Sequence, residues 1–233
     1  MTFSYSGMIL AAGFGRRMMP LTRNKPKPLI EINGLTLLGN SINFLTKLGC
    51  KEIIINTHYQ HSQIQNLINT SYNNKNIKLV YEEEILDTGG GVKNATSFFA
   101  NDNILVINSD IYWQEKNLID AKLVIKSYLK NNNMHLLLSK KNKSYGLSKS
   151  TGDFTIKNHK VYRFNEGDEI IYYSGLQMLH INHLKSFSNE KFSFNDVWDY
   201  LINKESLFGN IMHSNLYHVG DMQALNIAEK LNS

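Results

Sequence analysis

The 233-residue sequence predicts a single α/β domain, a mostly parallel mixed sheet flanked by helices, on three observations. Short β-branched runs alternate with amphipathic helical stretches through the first half, the pattern of strand–helix–strand units. A glycine-rich turn, Gly13-Phe14-Gly15, follows directly on the first apolar run, and doubly wound sheets bind ligands at such strand ends. Hydrophobic residues make up 42% of the chain against 19% charged, enough apolar material for one large core and too much for a disordered chain.

In order, residues 8–12 read as the first strand and 36–48 as a helix stopped by Gly49. A strand at 52–56, a helix at 61–69 and a strand at 78–82 follow. Residues 91–99 read as a helix behind a glycine turn, with Thr88 as its cap, and 104–108 as the next strand. After a helix at 118–130 and a strand at 135–140 the pattern becomes polar and hairpin-like at 152–156, 160–164 and 170–179. Helices are expected at 182–187, 195–204 and 221–231. The second half thus reads as α+β, placed to close over a substrate bound to the first. The division within the one domain, 1–233, falls between a nucleotide-binding half at about 8–112 and a smaller half at about 113–233. No internal repeat is present, in particular no hexapeptide β-helix array.

Formal net charge is +5, but lysine supplies most of it and is dispersed, so a nucleic-acid partner is not expected. A basic balance still suits a small polyanion. There is no basic–aromatic RNA-binding motif, no zinc spacing and no 18-residue apolar run, which removes zinc and membrane readings. Cys50 is the only cysteine, so no intramolecular disulfide can form, and it reads as a junction residue between helix and strand. The first seven residues lack the basic and apolar regions of a signal peptide, and a cytoplasmic location is the expectation.

All three prolines and three of the four arginines fall between Arg16 and Pro28. Folding alone does not explain that concentration. Glycines at 13 and 15 let backbone N–H groups approach a polyphosphate, and the arginines that follow can meet charge on phosphorus and pyrophosphate. The loop lacks the Gly-Lys-Ser/Thr ending of a P-loop and the third glycine of the dinucleotide fingerprint. Asp110 follows an apolar strand, where packing does not call for a carboxylate, and a hard oxygen donor there suits Mg²⁺.

The run Leu10-Ala11-Ala12-Gly13-Phe14-Gly15-Arg16-Arg17-Met18, continued by Pro20-Leu21-Thr22 and Lys25-Pro26-Lys27-Pro28-Leu29, resembles the signature of the sugar-1-phosphate nucleotidyltransferases. Three further stretches are similar to the same family: Glu82 to Gly91, Val106 to Asp110, and Tyr173-Ser174-Gly175-Leu176. Within the family, the Leu-x-Thr-Gly-Gly-Gly form and the short length are most similar to the N-acetylmuramate α-1-phosphate uridylyltransferases of peptidoglycan recycling, with mannose-1-phosphate guanylyltransferases as near relatives. The resemblance implies a Rossmann-like (GT-A-like) fold and a reaction between a nucleoside triphosphate and a sugar 1-phosphate. It also implies a requirement for Mg²⁺, with Mn²⁺ as an alternative.

Residue by residue, the resemblance implies Arg17, Lys27 and Asp110 as the catalytic group, with Lys27 between the two phosphates. Pro26 and Pro28 are expected to hold an extended backbone around that lysine. Leu10, Ala11, Ala12, Gly13, Gly15, Arg16, Glu82, Thr88, Gly89 and Gly90 are the implied nucleotide-binding residues. Lys27, Asn108, Ser174 and Gly175 are the implied sugar-phosphate residues. Glu84 is a further candidate for the base or ribose, and His58 for the pocket wall.

One departure matters. Relatives commonly carry Asp-Val-Gly-Thr, whose aspartate is a second metal ligand, where this chain has His218-Val219-Gly220-Asp221. Imidazole suits softer metals than Mg²⁺. Four outcomes stay open: Asp110 and the phosphates suffice, Asp221 swings in, the metal differs, or activity is low. Asp221 also stands where a helix N-cap is expected. The base, the sugar and the oligomeric state stay open as well.

Overall fold

The computed structural model describes residues 3–147 and 149–232. Nine strands share one mixed sheet: β1 (Ser6–Leu10), β2 (Ile53–Thr57), β3 (Ile77–Tyr81), β4 (Asn103–Asn108), β5 (Met134–Lys140), β6 (Phe154–Lys157), β7 (Lys160–Arg163), β8 (Ile171–His180) and β9 (Leu207–Ile211). Their spatial order is β3-β2-β1-β4-β8-β5-β9-β7-β6. The first four strands run parallel. β8 then lies antiparallel to both β4 and β5, joining the two halves of the chain in one hydrogen-bonded ladder.

Both faces are covered, as a parallel sheet requires. Neighbouring residues on a strand point to opposite faces, so Met8 and Ile9, each fully buried, enter two different apolar layers. Ile9 packs in the layer that takes Leu38, Ile42 and Leu45 of α1 (Leu37–Lys47) and Ile64 and Ile68 of α2 (His61–Ser71). Met8 packs in the layer that takes Val92 of α3 (Asp87–Asn94) and, beyond α4 (Asn117–Asn131) in sequence, Val197 and Trp198 of α5 (Phe194–Asn203). Burial of each such side chain contributes roughly 1.5–3 kcal/mol. The chain ends on α6 (Met222–Glu229) and a 3-10 turn at Lys230–Asn232. Among the described residues no helix is long and apolar enough to cross a membrane.

Local chemistry sets the helix ends. The Thr36 hydroxyl accepts the Gly39 N–H (2.9 Å) to open α1, and Gly49, at φ +96°, follows its last turn. Ser193 and Asp196 make a reciprocal capping box on α5. Cys50 is buried at its junction, which pushes its thiol up to about 12.

Several elements differ from expectation. α3 begins at Asp87 rather than 91, so Gly89, Gly90 and Gly91 lie inside it, and residues 96–98 form a separate 3-10 turn. Glycine is a poor helix former, but a side chain at 89 or 90 would collide with the 190–192 segment. Residues 181–184 make a 3-10 turn instead of a longer helix. The strand β9 has no counterpart in the sequence reading, because Gly209 and Asn210 weaken its pattern. It forms by filling the slot between β5 and β7.

Glu52, almost fully buried, anchors β2 to its neighbours. Its carboxylate accepts from Ser6 Oγ (2.8 Å), the Ala100 N–H (2.7 Å) and Lys78 Nζ (2.7 Å). Burial alone would push this carboxyl up, but the lysine and the donors outweigh that and lower it. A lowered folded-state pKa gives stability that is complete above the ordinary carboxylate range and lost as pH falls through the depressed value. Glu52→Gln is therefore expected to lower stability by about 1–3 kcal/mol near neutral pH. In thermal melts, the gap from the unaltered protein should narrow as pH falls below about 4.

Candidate active site

The loop after β1 is fixed by a relay across three strand ends. The Ala11 N–H donates to Asn56 Oδ1 (2.9 Å), Asn56 Nδ2 donates to Glu82 Oε1 (2.7 Å), and Glu82 Oε2 accepts the Leu86 N–H (3.1 Å). Both Glu82 oxygens thus already have partners inside the protein, although the residue lines the cavity described below. His58 lies behind the loop rather than on the cavity wall: its Nδ1–H donates to the Glu82 carbonyl (2.8 Å) and its ring meets Phe14 edge-on. Glu84 is exposed and does not line the cavity.

Gly15 has φ +65°, and a Cβ there would come within 2.8 Å of Lys27 Cβ. Glycine at this position lets the loop close over the lysine. Arg16 stacks on Phe14, its guanidinium carbon 5.0 Å from the ring centroid, while Arg17 follows in the 3-10 turn Arg16–Met18. Lys27 itself opens a 3-10 turn, Lys27–Leu29, where an extended backbone was expected. Pro26 is extended, but Pro28 sits in the first turn, where its missing N–H costs no hydrogen bond.

Lys27 Nζ lies 2.8 Å from Asp110 Oδ2, and His218 Nε2 lies 3.3 Å from the same oxygen. Burial alone would push the Asp110 carboxyl up, yet the Lys27 ammonium and the His218 ring outweigh it and hold it well below the usual carboxylate range. Asp110 is therefore an anion throughout the working pH range. Its other oxygen, Oδ1, is buried and has no hydrogen-bond partner. That orphaned acceptor fits a cation. Among the described residues no group of three or more His, Cys, Asp or Glu side chains could hold a metal on its own. A metal here would have to complete its shell from substrate, as Mg²⁺ does when phosphates supply ligands.

Two cavities meet at this point. The first, about 440 Å³, is lined by Leu10, Ala11, Ala12, Gly13, Gly15, Arg16, Arg17, Lys27, Glu82, Thr88, Asn108 and Asp110. The second, about 390 Å³, runs on beneath β8 and is lined by Lys149, Asp153, Tyr173, Gly175, Trp198 and His218 among others. Leu10, Arg17, Asp87, Thr88 and Asn108 belong to both walls.

Five expected residues carry contacts that serve the fold, and of these only Thr88 also lines the cavities. Gly89 and Gly90 line neither cavity: their N–H groups both donate to the Phe192 carbonyl (3.0 Å each), holding the 190–192 segment. Thr88 caps not its own helix but α5, its hydroxyl accepting the Phe194 N–H (2.9 Å). Ser174 is fully buried on the face opposite Tyr173, because adjacent strand residues alternate. Asp221 caps α6, its Oδ1 accepting the Ala224 N–H (2.9 Å), so that oxygen is committed to the helix. Asn56 was missed by sequence reading, though a polar residue near the end of an apolar strand is the same signal that marked Asp110.

The arrangement offers backbone amides and two arginines to a polyphosphate on one side. A second polar cavity lies on the other, with a lysine and a carboxylate between them. Residues 6–167 match the Nucleotidyl transferase family. The chain is 27% identical over 233 residues to the N-acetylmuramate alpha-1-phosphate uridylyltransferase of Caulobacter vibrioides, covering 95% of this chain and 94% of that protein. It is 28% identical over 122 residues to the D-glycero-alpha-D-manno-heptose 1-phosphate guanylyltransferase of Aneurinibacillus thermoaerophilus, about half of each chain (52% and 51%). Among solved structures, HddC from Yersinia pseudotuberculosis complexed with GMP-PN has the same fold, with a TM-score of 0.79 at 24% identity over 98% of this chain and 100% of that one. Family match, fold and cavity chemistry agree, and the chain belongs to the nucleotidyl transferase family as an enzyme of that class.

Proposed function

We propose that the enzyme transfers a nucleotidyl group from a nucleoside triphosphate to a sugar 1-phosphate, releasing pyrophosphate. UTP and N-acetylmuramate 1-phosphate are the favoured pair, which would place it in peptidoglycan recycling. The observation that carries this reading is the meeting of two cavities at Arg17 and Asn108, beside the Lys27–Asp110 pair. The near full-length similarity to the Caulobacter protein supports the substrate choice.

In this reading a phosphate oxygen of the acceptor attacks the α-phosphorus in line, a new P–O bond forms, and the bond to the β-phosphate breaks. The attacking phosphate is already ionised at neutral pH, so no general base is needed. Catalysis is then positioning and charge neutralisation. The Ala11–Gly15 backbone holds the triphosphate, Arg17 faces both substrates from the shared wall, and Lys27 places a point charge between the reacting phosphates. A divalent cation held by Asp110 would add charge neutralisation at the α-phosphate and the leaving pyrophosphate.

Lys149 on the acceptor wall favours a substrate that carries a carboxylate, as the lactyl ether of N-acetylmuramate does. It is ion-paired with Asp153 at 2.8 Å and more than half exposed, a surface pair for which a ligand carboxylate can compete. Lys149→Ala is expected to raise KM for N-acetylmuramate 1-phosphate about tenfold, the cost of one charge-assisted contact. KM for N-acetylglucosamine 1-phosphate, which lacks that carboxylate, should stay put. The direct test is pyrophosphate release across UTP, GTP, CTP, ATP and dTTP, each paired with N-acetylmuramate, mannose and glucose 1-phosphates and with phosphocholine. Release confined to UTP with N-acetylmuramate 1-phosphate supports the reading. Release with another pair replaces the substrate assignment, and silence with intact nucleotide binding points to a sensor.

A further inference from the structure

Resting on the nucleotidyl-transfer reading above, we propose that His218 is a direct metal ligand alongside Asp110. The site would then select a first-row transition ion such as Mn²⁺, Co²⁺ or Zn²⁺ over Mg²⁺. The two side chains are held together by backbone that needs no ligand to set it. The Val219 N–H donates to the Asp110 carbonyl (2.8 Å), Ile111 and His218 form an antiparallel bridge, and the His218 N–H donates to the Tyr145 carbonyl (3.0 Å).

The imidazole is oriented as well as placed. Its Nδ1 lies 3.1 Å from the Gly146 carbonyl. A carbonyl can only accept, so Nδ1 carries a proton. With Nδ1 committed to that carbonyl, Nε2 is the ring nitrogen turned toward the Asp110 carboxylate, 3.3 Å from Oδ2. An outer partner that fixes one ring nitrogen so that the other can ligate is the usual arrangement around metal-binding histidines.

The surroundings are shaped to this ring. A Cβ on Gly220 would come within 2.4 Å of His218 Cε1, so the ring occupies the space a side chain there would need. Asp110 Oδ1, buried and unpartnered, supplies the second donor. Lys27 occupies only the other oxygen. Relative to a pair of carboxylates, this set exchanges one negative charge for an imidazole nitrogen. Mg²⁺ gains little from nitrogen and loses Coulomb attraction, whereas transition ions bind imidazole well.

The test uses the full chain and reads metal binding rather than turnover. Electron spin-echo spectra of the Mn²⁺-loaded protein, free and with a non-hydrolysable nucleoside triphosphate, should show hyperfine coupling to a directly bound imidazole nitrogen. Calorimetry on the nucleotide-free protein should give Co²⁺ an affinity about tenfold or more above that of Mg²⁺. His218→Asp should remove the nitrogen coupling and shift the preference toward Mg²⁺. Absence of nitrogen coupling in both Mn²⁺ samples would overturn the proposal and leave His218 as an ion-pair partner of Asp110. An unchanged metal preference in a folded His218→Asp protein would do the same. Should that variant not fold, the coupling in the unaltered protein decides. Failure to find any active substrate pair would defeat the transfer reading without touching these spectra.

Discussion

Replacing Asp110 by asparagine is expected to lower pyrophosphate release about a thousandfold or more, the scale of losing a preorganised charge at a reacting phosphate. Asparagine keeps the shape, so the fold should persist by circular dichroism. What disappears is the carboxylate paired with Lys27 on the wall of the first cavity. Lys27 is 9% exposed and would then face the triphosphate with no counter-charge. Nucleotide affinity in the absence of metal should therefore hold or rise while kcat collapses. That split separates a role in the reaction from a role in folding, which would lower both. Near-normal turnover in Asp110→Asn would remove Asp110 from the mechanism.

The second large effect is expected at Arg17. Arg17→Ala should cost about 10²–10³ in kcat, as for removal of one donor aimed at developing charge. The melting temperature should barely move, because the side chain is exposed. Arg16→Ala is the internal control. Arg16 lines only the first cavity and leans on Phe14, so its loss should raise the nucleotide KM with much less effect on kcat. Equal losses at the two arginines would show that the shared wall does not mark the reacting phosphate.

The nucleotide half was legible because its signals are local. Alternating apolar runs place β1, β2, β3 and β4 within a residue or two, and the run from Gly13 to Pro28 stands out by composition alone. The second half was less so. β9 pairs with β5 across some seventy residues of sequence, and no local pattern announces a strand that forms by filling a slot. The glycines of α3 show the same limit from the other side. In sequence, the glycine triplet reads as a turn ahead of a helix, with backbone open to the nucleotide. In three dimensions those at 89 and 90 let the helix press against residues 190–192, a contact with no trace nearby in the chain. Ser174 was misplaced for a simpler reason, since naming a strand does not say which of two neighbouring residues faces the cavity.

The long strand β8 carries a mechanical consequence. It pairs with β4 from Leu176 opposite Ile107 to His180 opposite Asn103, and with β5 on its other edge. The two cavities therefore stand on one continuous ladder, and no flexible joint separates their floors. A clamshell movement would have to shear backbone hydrogen bonds that the core buries on both sides. Adjustment to substrate falls instead to the rims, to the turn around Arg17 and the segment carrying Lys149. The reacting phosphates would meet on a fixed bench, with the distance between them set when the chain folds.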